Sequence, residues 1–120
     1  MGHLHQSVKL SGDKVTTVRM LVDTGATFSV ISKSLARTLG VAPLRGLTMT
    51  LADGRRTRVK AGMAIFEIGK RKAPATLLVG DVVEPILGVE TLEALGLAVD
   101  PRRRRLTPTR PYTIRLGGYR

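Results

Sequence analysis

The stretch Leu21-Val22-Asp23-Thr24-Gly25-Ala26-Thr27-Phe28-Ser29-Val30 sets one carboxylate between two apolar runs, where an unpaired charge is costly to bury. Two readings compete for it. Asp and Gly are turn residues, and Asp bonds its own backbone, so Asp23-Thr24-Gly25 is compatible with a plain turn. The sharper reading makes Asp23 an acid at the floor of a catalytic cleft, with Thr24, Gly25 and Ala26 as the loop around it. Other candidates for chemistry are few. His3 and His5 would share one face of a strand as a metal pair, but two imidazoles at a terminus rarely make a site, and a frayed end is the expectation. Cysteine is absent, which removes disulfides, thiolate ligands and cysteine nucleophiles together. No metal and no cofactor is therefore expected. Arg102-Arg103-Arg104-Arg105 invites phosphate contacts with a nucleic acid. The run has no interleaved aromatics for base stacking, so a β-turn with solvated guanidiniums is the preferred reading.

Composition bounds what these residues can belong to. A chain of 120 residues makes one domain, with a core expected over about 8–107 and an irregular tail over 108–120. Hydrophobic residues at 42% suffice for folding, but aromatics at 3% leave the core to Val, Leu, Ile, Met and Ala. The formal charge of +11 favours acidic or polyanionic partners and says nothing about fold. No apolar run is long enough to span a membrane, and the opening MGHLHQSVKL lacks a signal peptide's apolar stretch. A cytoplasmic location is the expectation.

The elements that must position Asp23 are mostly short strands. Val8 to Val22 reads as a hairpin turning at Ser11-Gly12-Asp13-Lys14. Phe28 to Ile31 is a further strand, and Ser32 caps a helix over Lys33 to Leu39 that Gly40 ends. Leu47 to Leu51 alternates as a half-buried strand should. Ala52-Asp53-Gly54-Arg55 turns it into a long arm, Arg58 to Ile68. Gly69-Lys70 turns again into Ala75 to Val79. Ile86-Leu87-Gly88 is a second apolar run stopped by Gly, followed by a helix over Val89 to Gly96. Leu97 to Val99 and Arg104 to Thr107 form a last hairpin. The sum is an all-β, barrel-like domain with two short helices.

Three features in order resemble the retropepsin-like aspartic proteases: Leu21-Val22-Asp23-Thr24-Gly25-Ala26, the hairpin tip Ala52-Asp53-Gly54, and Ile86-Leu87-Gly88 before a helix. The resemblance covers roughly Val15 to Leu106. It implies a half-barrel completed by a two-fold dimer, and an endopeptidase acting on peptide or protein substrates. It implies that Asp23 is catalytic, and that Thr24 locks the two active-site loops across the axis. Ala26 would line the cleft, and Ile86-Leu87-Gly88 would cross under the catalytic loop. The hairpin Leu47 to Ala61 would be a flap, with Ala52, Asp53, Gly54 and Arg55 over the substrate. Chain ends often pair across the dimer in this family, which offers Arg104 to Thr107 or the Val8 segment as interface strands. At Thr27 the sequence departs from retroviral enzymes, which often carry a second Asp there. The flap differs too: Arg55, Arg56 and Arg58 are more basic than viral tips, so acidic substrate positions are expected near the scissile bond.

Amide hydrolysis by water needs a base for its proton and an acid for the leaving nitrogen. Two carboxyls a few ångströms apart cannot both ionise, so they share one proton and divide these tasks. One Asp cannot do so alone, and no second Asp-Thr/Ser-Gly occurs: Asp53, Asp81 and Asp100 lack the pattern. A two-fold dimer supplies the mate, the same Asp23 from another copy. Such an enzyme should have a bell-shaped pH–rate profile that leans acidic. Two rivals remain: the same fold as a silent peptide-binding or dimerisation module, and a basic nucleic-acid-binding β-domain.

Overall fold

The structure, a computed structural model, describes residues 3–41, 45–50 and 53–111. Nine strands and two helices follow one another along the described residues: β1 (His5–Ser11), β2 (Val15–Val22), β3 (Ser29–Ile31), α1 (Lys33–Leu39), β4 (Arg45–Thr50), β5 (Arg56–Ile68), β6 (Arg71–Val79), β7 (Ile86–Leu87), α2 (Val89–Leu95), β8 (Leu97–Asp100) and β9 (Arg105–Pro108). Seven strands form one sheet in the order β1-β2-β7-β3-β6-β5-β4. A further pairing of β1 with β5, Lys9 to Ser11 against Glu67 to Ile65, folds that sheet back on itself. The result is the all-β architecture with two short helices that the sequence pattern predicts, in the half-barrel form that the resemblance implies.

Alternation decides which side chains fill it. Val8, Leu10, Met20, Ile31, Phe66, Leu77 and Leu87 are buried on one side, and α1 and α2 add Leu39, Leu92 and Leu95. A smaller cluster of Val30, Val59 and Leu78, with Phe28, Met49 and Ile86 against it, lies on the other. Burying apolar area at roughly 25 cal/mol per Å² makes these two clusters the main source of stability.

The helix ends are local events. Ser32 accepts the Leu35 N–H at 3.2 Å, and Gly40 closes α1 with φ at 71°, a left-handed conformation that favours glycine. β5 and β6 run longer than the sequence suggests, beginning at Arg56 and Arg71. Their ladder continues without a break from Ile68↔Arg71 to Lys60↔Val79. Pro74 is no obstacle, because β3 flanks β6 only at Leu77 to Val79, so Pro74 stands on an edge.

The N-terminal end is not frayed as expected: His5 opens β1, and its Nε2 lies 2.8 Å from Glu84 Oε1. The Arg run forms the β8–β9 turn, where Asp100 Oδ1 accepts the backbone N–H of Arg102 and of Arg103. At the other end of that hairpin, Arg71 and Arg110 donate to the last carbonyls of α2. Among the described residues no helix is long and apolar enough to cross a membrane.

Candidate active site

β2 ends at Val22 and delivers Asp23 just past its half-buried last residues, Leu21 and Val22. Leu21 and Val22 pair in parallel with Ile86 and Leu87, and the Asp23 N–H extends the pairing to the Leu87 carbonyl at 3.0 Å. The chain then turns: Ala26 N–H reaches the Asp23 carbonyl at 3.1 Å, and Gly25 N–H donates to Asp23 Oδ1 at 2.9 Å. The turn reading of Asp23-Thr24-Gly25 is thus visible in the loop. Asp23 is half-buried, and among the described residues its Oδ2 receives no hydrogen bond. A Cβ at Gly25 would come within 3.2 Å of Asp23 Oδ1, so a glycine leaves that oxygen room.

The loop is clamped from below. The first N–H groups of a helix have no partner within it. In α2 those of Val89 and Glu90 donate at 2.9 Å to the carbonyls of Ala26 and Thr27. The crossing is close: a Cβ on Gly88 would lie 2.5 Å from the Phe28 carbonyl carbon and 3.0 Å from the Ala26 oxygen. Only glycine fits. Behind it, Ser29 Oγ accepts the Gly88 N–H at 3.0 Å and meets Thr91 Oγ1 at 2.6 Å, both hydroxyls being fully buried. Ser29 and Thr91 escape a reading of the sequence; the only signal is a small hydroxyl inside the apolar run Phe28-Ser29-Val30-Ile31. Glu90 braces the same helix by accepting both the N–H and the hydroxyl of Thr76.

Beside this loop lies a cavity of about 400 Å³, lined by Gly25, Ala26, Phe28, Met49, Val59 and Leu78 among others. The structure therefore brings together Asp23 to Ala26, Ile86 to Gly88 and the β4–β5 hairpin. Asp53, Gly54 and Arg55 at the hairpin tip do not line the cavity, and Ala52 lies outside the described residues. Asp53 is instead tied to Arg55. Its Oδ1 accepts the Arg55 N–H at 3.0 Å and its Oδ2 accepts Arg55 Nε at 2.6 Å. The backbone bond, then the guanidinium, lower the Asp53 pKa from 3.8. Arg56 and Arg58 alternate with buried Val59 and so stand on the face of β5 turned from the cavity, where they are exposed. Arginines on that face do not reach the cavity floor, which is apolar. Thr24 is exposed and borders a second hollow of about 500 Å³ with Val89, Leu92, Leu97 and Val99.

A half-barrel with one Asp-Thr-Gly loop laid over an Ile-Leu-Gly crossing is the single-lobe aspartic protease fold. A family model described as "gag-polyprotein putative aspartyl protease" matches residues 8–94, and the chain belongs to that family, whose kind is retropepsin-like. Among solved structures it is similar to the EIAV protease complexed with the inhibitor HBY-793. That likeness has 23% identity and a TM-score of 0.69 over 79% of this chain and 89% of the other. No curated protein sequence matches.

Proposed function

We propose that the protein is a homodimeric aspartic endopeptidase whose dyad is Asp23 from each of two copies. The observation that carries this reading is the state of Asp23: half-buried just past the end of β2, with one carboxylate oxygen engaged by Gly25 and the other without a hydrogen bond among the described residues, beside a largely apolar cavity. A half-buried carboxylate gains from a mate that shares its proton. The water between the two loses its proton to the ionised carboxylate as its oxygen attacks the peptide carbonyl. The protonated carboxyl then gives its proton to the leaving nitrogen, and no covalent intermediate forms.

The other site residues take roles from this. Gly25 leaves space at the acid, and Ala26 with Phe28, Met49, Val59 and Leu78 forms an apolar subsite for a substrate side chain. The β4–β5 hairpin acts as the flap that excludes water, its tip held by Asp53 and Arg55. Thr24 meets its counterpart across the axis. Substrates are peptides or proteins with apolar residues at the scissile bond, acidic residues being favoured only at a distance from it.

Asp23→Asn tests the reading. Cleavage of an unfolded protein should vanish while molar mass in solution stays that of the dimer, and a statine-type inhibitor should block the wild type. Unchanged cleavage by the variant would eliminate the proposal, and so would full activity in a strict monomer.

A further inference from the structure

A second concavity lies on the opposite side of the β4–β5 hairpin from the cleft. It is a pocket of about 200 Å³ between α1 and the β5–β6 ladder, lined by Lys33, Ala36, Arg37, Val41, Lys60 and Val79. Ala36 and Val79 are buried and form its floor, and Val41 packs against the same core. Lys33 and Arg37 stand four residues apart on α1, hence on one face of the helix. Lys60 comes to the same rim from β5, opposite Val79 in register. All three cations are exposed. Arg58 and Arg56 continue the row along β5, alternating on the face of Lys60.

Carboxylates do not neutralise this row. Among the described residues, none of the ion pairs His5–Glu84, Arg55–Asp53 and Arg103–Asp100 involves the rim. Two acids stand in the neighbourhood: Asp81 shares an adjoining hollow with Lys33, and Asp13 packs on Gly40. An apolar floor under an unpaired cationic rim is the complement of an apolar side chain flanked by acids. The volume is below that of pockets for drug-sized ligands and suits a single aliphatic side chain. Its lining has no aromatic on which a base could stack, which disfavours a nucleic acid.

We infer that this pocket, with the cations beside it, is a docking site for an acidic peptide segment that seats one aliphatic residue on Ala36, Val41 and Val79. It lies on the far side of the flap hairpin from the proposed cleft, so it adds a recognition surface that does not depend on the dyad.

The probe is a fluorescein-labelled peptide, Glu-Asp-Glu-Leu-Leu-Glu-Asp-Glu, titrated with full-length Asp23→Asn protein and followed by anisotropy. Removing the rim by Lys33→Ala, Arg37→Ala and Lys60→Ala together should weaken binding about tenfold, as three exposed charge contacts of roughly twofold each would. Replacing the two Leu by Ser should also weaken it several-fold, and Arg102→Ala with Arg103→Ala should leave it within about twofold. These substitutions are at exposed positions, and if the triple variant unfolds, the single charge reversal Lys60→Glu should still weaken binding about fourfold. Binding that survives loss of the rim overturns the inference. So does equal weakening by the turn variant, or a single-stranded RNA of matched charge that binds the rim more tightly than the peptide. Because the readout is binding, it can fail while the protease reading stands, and the reverse.

Discussion

One hydroxyl joins parts of the site that lie far apart in the chain. Ser29 Oγ accepts from Gly88 and meets Thr91, so it links β3, the Ile86-Leu87-Gly88 crossing and the first turn of α2. Ser29→Ala would bury the Gly88 N–H without an acceptor and strip Thr91 of its partner, which should cost about 1–3 kcal/mol. Urea unfolding of Ser29→Ala, Thr91→Val and the double variant checks this: the pair should be strongly non-additive, and simple additivity would show that the hydroxyls act separately. Asp53 makes a second prediction, with a sign. Its folded pKa is lowered, so the bonds to Arg55 are fully present above about 3.8 and are lost as pH falls through the lower folded value. The Arg55 amide resonance should therefore titrate with a midpoint below 3.8. A midpoint at or above that value would mean that the hairpin tip is not held by this contact. Asp23 stood out in the sequence because a charge between apolar runs is conspicuous. Ser29 and Thr91 did not, since their pairing across the chain exists only once β3 and α2 are packed.

Elements differ in how plainly they were written. The ends of α1 and α2 were legible because their signals are local: Ser32 before the first turn of α1, and Gly40 and Gly96 just past the last turns. The hairpin of β4 and β5 was legible from alternation and from Asp53-Gly54. The extension of β6 back to Arg71 was not, because tolerance of Pro74 depends on β3 covering only the far half of that strand. β7 was the hardest. Two residues long, it pairs in parallel with β2 and antiparallel with β3, which a sequence of two apolar residues cannot announce. Gly88 was marked as a stop, yet its actual role is contact: it lets the head of α2 lie against the carbonyls of the Asp23 loop. Gly88→Ala should destabilise the fold by about 1–3 kcal/mol or more, since the atoms a methyl meets are backbone. Thermal and urea midpoints of that variant provide the check. A midpoint within error of the wild type would show that the crossing is looser than the geometry says.

At the scale of the molecule, the proposed chemistry takes half of its dyad from each of two chains. The half-barrel and the family are established by fold and sequence match together, whereas the proposed dyad calls for a second copy. Of the twenty Lys and Arg behind the charge of +11, nine cluster in three exposed places: the β8–β9 turn, the outer face of β5 and the helix α1. None of these nine lines the cavity beside Asp23. The most direct test of the dyad mixes wild type with Asp23→Asn at fixed total concentration and allows the subunits to exchange. If each active centre takes one Asp23 from each of two copies, activity falls as the square of the wild-type fraction, so an equal mixture keeps about a quarter. A linear decline, with about half the activity left in that mixture, would mean that each chain works alone and would contradict the account.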